Sequence, residues 1–385
     1  MLWSRSGAPD AFSVTRAVDM STAGGIIVVH KPAGMTSFAV VSKVRRLFHV
    51  RRAGHCGTLD PFAEGVLPVC VEKATAVVRY MENYDKKYKV VMRFGAQTDT
   101  QDVTGTVIGG RNPDEEERRA IAASGFCDLR EAVARYSGEM EQLPPMYSAI
   151  KINGTPLYKY ARQGIDVERA RRKIRIHSAV LTDATVDPEF TASMDIHCSK
   201  GTYIRTICEE LGQQLGYGAH ATALCRTSCG PYTLEESVTL EELERIVASA
   251  DDPWKLFGET RGFHRTDSAI ATMARLELTD ADALKLVPGQ IIVSPAPLKA
   301  GERCAAYRRS GQWIGVVKTV DPDGTDAPAG TDFCRKAEGC DASGGAYDEP
   351  ESDGPCEETE KGTRGDMPRL IKAERIFIDA NDFRG

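Results

Sequence analysis

The sequence predicts an α/β (α+β) protein in two parts, one in which strands and helices alternate and a smaller one built of short strands. Three observations carry this. Residues 25–30 (GIIVVH) are an apolar run of strand length, after which Val40, Val41, Val44 and Leu47 recur at helical spacing. The alternation returns farther on, with strand patterns at 88–94 and 193–198 and a helical pattern at 202–215. Beyond about Phe263 the pattern changes to short segments, 275–278, 291–293, 304–307 and 312–320, punctuated by Gly and Pro.

Each element has its own signal. The first strand ends in a Lys31-Pro32-Ala33-Gly34 turn, and a helix is expected from Thr36 or Ser37. A Gly- and Pro-rich loop is read over 54–68, then a short helix near 74–81 and a strand over 88–94. Loops of that length are usually functional. The helix at 202–215 would present Ile204, Ile207, Cys208, Leu211 and Leu215 on one face. Thr239 and Glu242 have the spacing of a capping box, which starts a further helix. Residues 368–378 supply a last strand. Residues 1–23 show no periodicity and are expected to be a disordered extension. The expected domains are therefore 24–262, and 263–320 with 368–385, interrupted by 321–367.

That interruption dominates the charge. The chain of 385 residues has a formal net charge of -6, which argues superficially against a nucleic-acid partner. Residues 321–367 hold 14 acidic and 4 basic residues, a net of -10, so the remainder carries -6 + 10 = +4. A mildly basic body with one acidic segment is compatible with RNA. The acidic stretch is too polar to bury a core and is expected to be a disordered insertion. Eleven cysteines without a CxxC suggest neither a disulfide framework nor a zinc site. Apolar runs are too short for a bilayer and no signal peptide is visible, so no membrane association and a cytoplasmic location are expected.

The strongest local signal is Gly54-His55-Cys56-Gly57-Thr58-Leu59-Asp60-Pro61, continuing through Phe62 to Pro68. An acidic residue held between Leu and Pro, among glycines and apolar neighbours, is rigid and poorly solvated. It needs a partner. Arg205, at the start of the helix after Ser199-Lys200-Gly201-Thr202-Tyr203-Ile204, is the candidate, because a guanidinium meets a carboxylate as a planar fork and keeps it ionised. Taken alone, Asp-Pro reads as a turn and Arg205 as a surface charge. Cys56 beside His55 suggests a nucleophile and base, but adjacent side chains diverge, which is poor geometry for a dyad.

Six blocks, spanning about 25–247, outweigh the plain reading. They are Lys31-Pro32-x-Gly34-Met35-Thr36-Ser37; the 54–68 block; Lys87-Tyr88 with Gly95-Ala96-Gln97-Thr98-Asp99-Thr100-x-Asp102; 144–151 (PPMYSAIK); 157–164 (LYKYARQG); and 198–206 (CSKGTYIRT). In order and content they resemble the bacterial tRNA pseudouridine-55 synthase family, of the TruB type. The resemblance implies a catalytic domain with a mixed, largely antiparallel sheet and, less specifically, a PUA-like RNA-binding β domain at the C-terminus. It implies isomerisation of uridine 55 in the tRNA T-loop, by base flipping and with no cofactor, since no redox state changes. Asp60 would be the catalytic aspartate, Tyr88 the tyrosine beside the base and Arg205 the partner of Asp60. For RNA binding it implies His55, filling space vacated in the T-loop, Tyr203 beside the base, Asp102 near the flipped uridine, and Lys31 on phosphate or positioning the Asp60 loop. Asp102 has a competing reading as a turn cap. The sequence departs from the family at Cys56, where Thr is common, and at Ala76, where a basic residue is common.

A tRNA-folding chaperone that needs no turnover is the alternative from another functional class. The expected partner is the tRNA T-stem-loop. With no heptad or dimer stripe, a monomer that requires no protein partner is expected.

Overall fold

The computed structural model describes residues 24–321, 325 and 369–377. The expectations for 1–23 and for nearly all of 321–367 lie outside them. Two compact units divide at Ile270/Ala271.

The larger unit opens with β1 (Gly25–Lys31), α1 (Ser37–Leu47), β2 (Ala53–His55), β3 (Glu64–Val71), α2 (Val78–Met81) and β4 (Lys86–Phe94). It continues with α3 (Glu115–Ala123), α4 (Cys127–Ala134), β5 (Gly138–Gln142), β6 (Arg172–Thr185) and β7 (Thr191–Cys198). It closes with α5 (Ile204–Gln214), β8 (Ala219–Cys229), β9 (Tyr232–Thr233), α6 (Leu240–Ser249) and β10 (Phe263–Arg265). One ten-stranded sheet runs β10-β1-β3-β8-β4-β7-β6-β5, with β2 on β3 and β9 on β8. All its pairs are antiparallel except β3 with β8, so the expected mixed, largely antiparallel sheet is present.

Two apolar clusters hold the helices on this sheet. Leu129 and Val133 of α4 and Ile204, Ile207 and Leu211 of α5 pack on Val90, Met92, Met194 and Ile196. Val40, Val41 and Val44 of α1 and Leu240 and Leu243 of α6 pack on Ile27, Val29, Leu67 and Val69. Burying such side chains supplies most of the cohesion. The helix starts are set by capping: the Thr36 hydroxyl accepts from Ala39 N, and Thr239 and Glu242 form the reciprocal box the spacing predicts.

Three expectations need correction. The 54–68 loop is shorter, because β2 and β3 occupy both ends; Pro68 reads as loop, yet it sits within β3 opposite Val28, and its carbonyl accepts from Cys56 N. The boundary expected after 262 falls at 270, because 263–265 hydrogen-bond to β1 at the edge of the large sheet. The helix at 202–215 begins at Ile204, with Tyr203 as its extended N-cap.

The smaller unit comprises β11 (Ala274–Leu278), α7 (Asp280–Leu286), β12 (Ile292–Val293), β13 (Arg303–Arg308), β14 (Trp313–Val320) and β15 (Leu370–Ile376). Its five-stranded sheet runs β11-β13-β14-β15-β12. β14 and β15 are antiparallel neighbours, so the acidic segment lies within the connection between two paired strands. Among the described residues no helix is long and apolar enough to cross a membrane.

Thr239→Ala removes the hydroxyl that caps α6 and should destabilise the larger unit by about 1 kcal/mol. Urea unfolding should show a lowered midpoint with unchanged slope; an unshifted midpoint contradicts the role of the cap.

Candidate active site

Asp60 sits in the loop between β2 and β3, and the surrounding chain fixes that loop from several sides. Ser37, the first residue of α1, accepts from Leu59 N at 2.9 Å and donates to Leu59 O at 3.1 Å. The Lys31 ammonium donates to Met35 O at 2.6 Å, Pro32 O at 2.9 Å and Pro61 O at 3.3 Å. Gly34 N donates to Pro61 O at 2.7 Å. On the other side Arg226 of β8 donates to Gly57 O at 3.0 Å and Val66 O at 2.7 Å. Here β3 and β8 run parallel, with Gly65 opposite Arg226. A Cβ on Gly65 would stand 2.3 Å from the Arg226 carbonyl oxygen, so only glycine permits this approach.

Arg205, in the first turn of α5, grips the Asp60 carboxylate with its fork: Nε to Oδ2 at 2.8 Å and Nη2 to Oδ1 at 3.2 Å. The guanidinium is buried, and its other donors reach Tyr147 O at 2.8 Å and Thr100 O. Asp102 Oδ2 stands 3.6 Å from Nη1. Arg205 is therefore satisfied on every side, as a buried cation must be.

The Asp60 side chain keeps 34% exposure because it faces a cavity of about 360 Å³. That is within the size range of small-ligand sites. Tyr88, Tyr203, Leu224 and Arg226 line it together with Asp60 and Arg205. Burial of the surroundings pushes the Asp60 carboxyl above its ordinary range; Arg205 opposes the rise, and the nearby Asp102 carboxylate adds to it. The Arg205 charge is shared between two carboxylates, so it only partly offsets the desolvation. Burial also raises the Tyr88 phenol, to about 12, against the pull of Arg226, so Tyr88 is a neutral donor at physiological pH.

Four of the seven residues singled out in the sequence, Asp60, Tyr88, Tyr203 and Arg205, thus converge on one cavity, and three lie outside its lining. Lys31 is fully buried, with its ammonium on three backbone carbonyls, so it cannot meet phosphate and serves the alternative of holding the Asp60 loop. Burial pushes its pKa down to about 8, with Asp60 opposing the shift. Asp102 is the turn cap: Oδ1 accepts from Thr104 N at 2.9 Å, Thr104 Oγ1 at 2.6 Å and Thr100 Oγ1 at 2.8 Å, while Oδ2 faces Arg205. His55 is half-buried at the end of β2 opposite Val69, and burial, then Arg226, lowers its pKa. Its Nδ1 is buried with no hydrogen-bond partner among the described residues.

Sequence reasoning missed Arg226 and Ser37. A cation inside a strand of small residues is the signal for Arg226, and it is visible only once 219–229 is known to be a strand. Cys56 is buried, with its thiol 3.1 Å from Met81 O, a contact the hydroxyl of Thr would also make. The Cys229 thiol and burial push the Cys56 pKa up, which removes it as a nucleophile.

The model for the N-terminal domain of TruB family pseudouridylate synthases matches residues 45–204, and that for a tRNA pseudouridylate synthase B C-terminal domain matches 205–256. A tRNA pseudouridine synthase B from Saccharophagus degradans is 39% identical over 311 residues, covering 79% of this chain and 94% of the relative. One from Geobacillus kaustophilus is 40% identical, covering 75% and 98%. The chain belongs to the TruB family of pseudouridylate synthases. Within that family the 205–256 match falls inside the larger unit, so neither family model reaches the small β unit. The solved structure of a Cbf5-Nop10-Gar1 complex shares the fold, with a TM-score of 0.60 at 20% identity over 94% of this chain and 88% of that one.

Because burial dominates at Asp60, its carboxyl carbon should titrate above the ordinary 3.8 in a ¹³C NMR pH series. Arg205→Gln, which removes the countercharge, should move it higher still. Titration below 3.8 in the wild type would show instead that the guanidinium outweighs desolvation.

Proposed function

We propose that the protein isomerises uridine 55 in the T-loop of tRNA to pseudouridine, with the Asp60 carboxylate as the catalytic group. The observation that carries this reading is a carboxylate held side-on by a buried guanidinium at the wall of a cavity sized for a nucleoside. Family membership and relatives named tRNA pseudouridine synthase B supply the substrate class.

A uridine in a stacked loop must be everted to reach such a cavity. In the ionised form, Asp60 can attack the ribose or the base, or stabilise positive character at C1′ while the N1 glycosidic bond breaks. Because Arg205 fixes both carboxylate oxygens, little reorganisation is needed as charge develops. Tyr88, a neutral phenol on the cavity wall, stacks on the base and can give its proton to N1 as the glycosidic bond breaks, then recover one from C5 as the base reattaches there, so the phenol is regenerated. Tyr203 flanks the base. His55 lies outside the cavity lining, so we assign it to the tRNA elbow, where a neutral imidazole can stack.

The small unit is read as a PUA-like RNA-binding domain. Support comes from its five-stranded sheet and its position after the catalytic unit in the chain. The reading extends to a cytoplasmic enzyme acting as a monomer.

Asp60→Asn should keep tRNA affinity within about threefold while pseudouridine formation falls by at least about 10⁴-fold. A wild-type protein that binds tRNA but leaves every T-loop uridine unchanged is a folding chaperone, and the proposal is then wrong. Tyr88→Phe keeps the ring and loses the proton, so turnover should drop by about 10²-fold with unchanged affinity. Unchanged turnover leaves Tyr88 a stacking residue only.

A further inference from the structure

Away from the cavity lining, Asp85, His177 and His197 converge at one end of the large sheet. Asp85 immediately precedes β4, His197 lies on β7 opposite Lys87, and His177 lies on β6. The β6/β7 register slips between Ile176 and Ser178, so His177 is the extra residue of a bulge set against His197 and Cys198. Such a bulge re-aims a side chain. Here it leaves the two imidazole rings 4.5 Å apart between centroids, and His177 Nε2 3.1 Å from Asp85 Oδ2. One donor atom from each of the three residues lies within 4.8 Å of the others.

We propose that Asp85, His177 and His197 form a binding site for a divalent transition-metal ion of the zinc type. Ligand bonds of about 2.0–2.1 Å in a tetrahedron put donors about 3.4 Å apart, so the His177–Asp85 pair is already near the required spacing. The third donor closes by side-chain rotation, which the partial exposure of His177 (31%) and Asp85 (46%) allows. Two imidazoles with one carboxylate select zinc, cobalt or nickel over magnesium or calcium, which prefer all-oxygen sites. Lys87 is an adverse charge, and the Asp85 carboxylate offsets it. Cys198, the next residue, is buried and its thiol contacts Lys86 O, so it is not a fourth ligand. The remaining positions open to solvent and take water. The ion would tie the starts of β4 and β6 to the end of β7, beside Lys86 and Ser199 of the cavity lining.

Without metal the same residues make a His177–Asp85 contact with the His197 ring tilted against the His177 ring, and calorimetry separates the two cases. Full-length protein stripped with chelator should bind one equivalent of Zn²⁺ and none of Mg²⁺. His177→Gln and His197→Gln should each weaken binding by at least about 100-fold, more than the loss of an outer-shell partner. Circular dichroism in chelator should show both variants folded. Substituted Co²⁺ should give weak visible bands without intense near-ultraviolet sulfur charge transfer, which excludes the buried cysteines. Zn²⁺ binding that is absent, survives both substitutions or brings sulfur charge transfer overturns the site.

Discussion

The Asp60–Arg205 pair is the constraint on which the rest of the site depends. A guanidinium buried to 2% exposure is tolerated only if its donors are met, and here the partners come from three separate parts of the chain. Asp60 comes from the β2–β3 loop, the Thr100 carbonyl and Asp102 from the turn after β4, the Tyr147 carbonyl from the stretch before β6, and Arg205 itself from α5. Losing one partner strands a charge in a dry environment, which costs far more than the pair contributes as attraction. The arrangement is thus self-locking: the segments must be correctly placed for the cation to be buried at all, and once buried it aims the carboxylate.

The same device is used twice more around the loop, with backbone carbonyls in place of a carboxylate. Lys31 and Arg226 are both buried, and both spend donors on main-chain oxygens at opposite ends of the Asp60 segment. An ammonium has three donors and no acceptor, and Lys31 meets three carbonyls, so the count closes. These cations fix backbone while leaving the Asp60 oxygens free for Arg205. They also concentrate positive potential behind the cavity, which favours approach of a polyanion. A mildly basic body is the counterpart of this at the level of composition.

Much of the framework could be read from residue patterns, and the exceptions have physical causes. The first strand, α1 with its Thr36 cap and the α6 capping box follow local rules that tertiary context leaves intact. β6 was missed because the bulge at His177 shifts the phase of its apolar alternation, Ile174 and Ile176 before it and Ala179 and Leu181 after it; it is held by neighbours on both sides, β7 and β5. β8 was missed because its small residues carry little strand preference; β4 and β3 recruit it. At the site, the motif sufficed to pair Asp60 with Arg205. For Lys31 and Asp102 the chemistry was visible but its direction was not, since only packing decides whether a charged side chain faces a cavity or the backbone behind it. The Asp85, His177 and His197 cluster was hidden for a further reason: its members are far apart in the chain, and a bulge that no pattern announces brings one of them into place.

Two of the titratable groups on the cavity wall, Asp60 and Tyr88, are shifted in the same direction by their environments. Tyr88 and Asp60 are both pushed up by burial, from starting points far apart. The phenol, near 12, keeps its proton at neutral pH. The carboxyl feels Arg205 and Lys31, which restrain the rise, while the dry surroundings and Asp102 drive it. A carboxylate held too tightly by its countercharge would be a poor nucleophile, and one left without it would hold its proton. Sharing one guanidinium between Asp60 and Asp102 keeps Arg205 from cancelling the desolvation in full, so the buried turn cap bears on the Asp60 carboxyl although it lies outside the cavity lining.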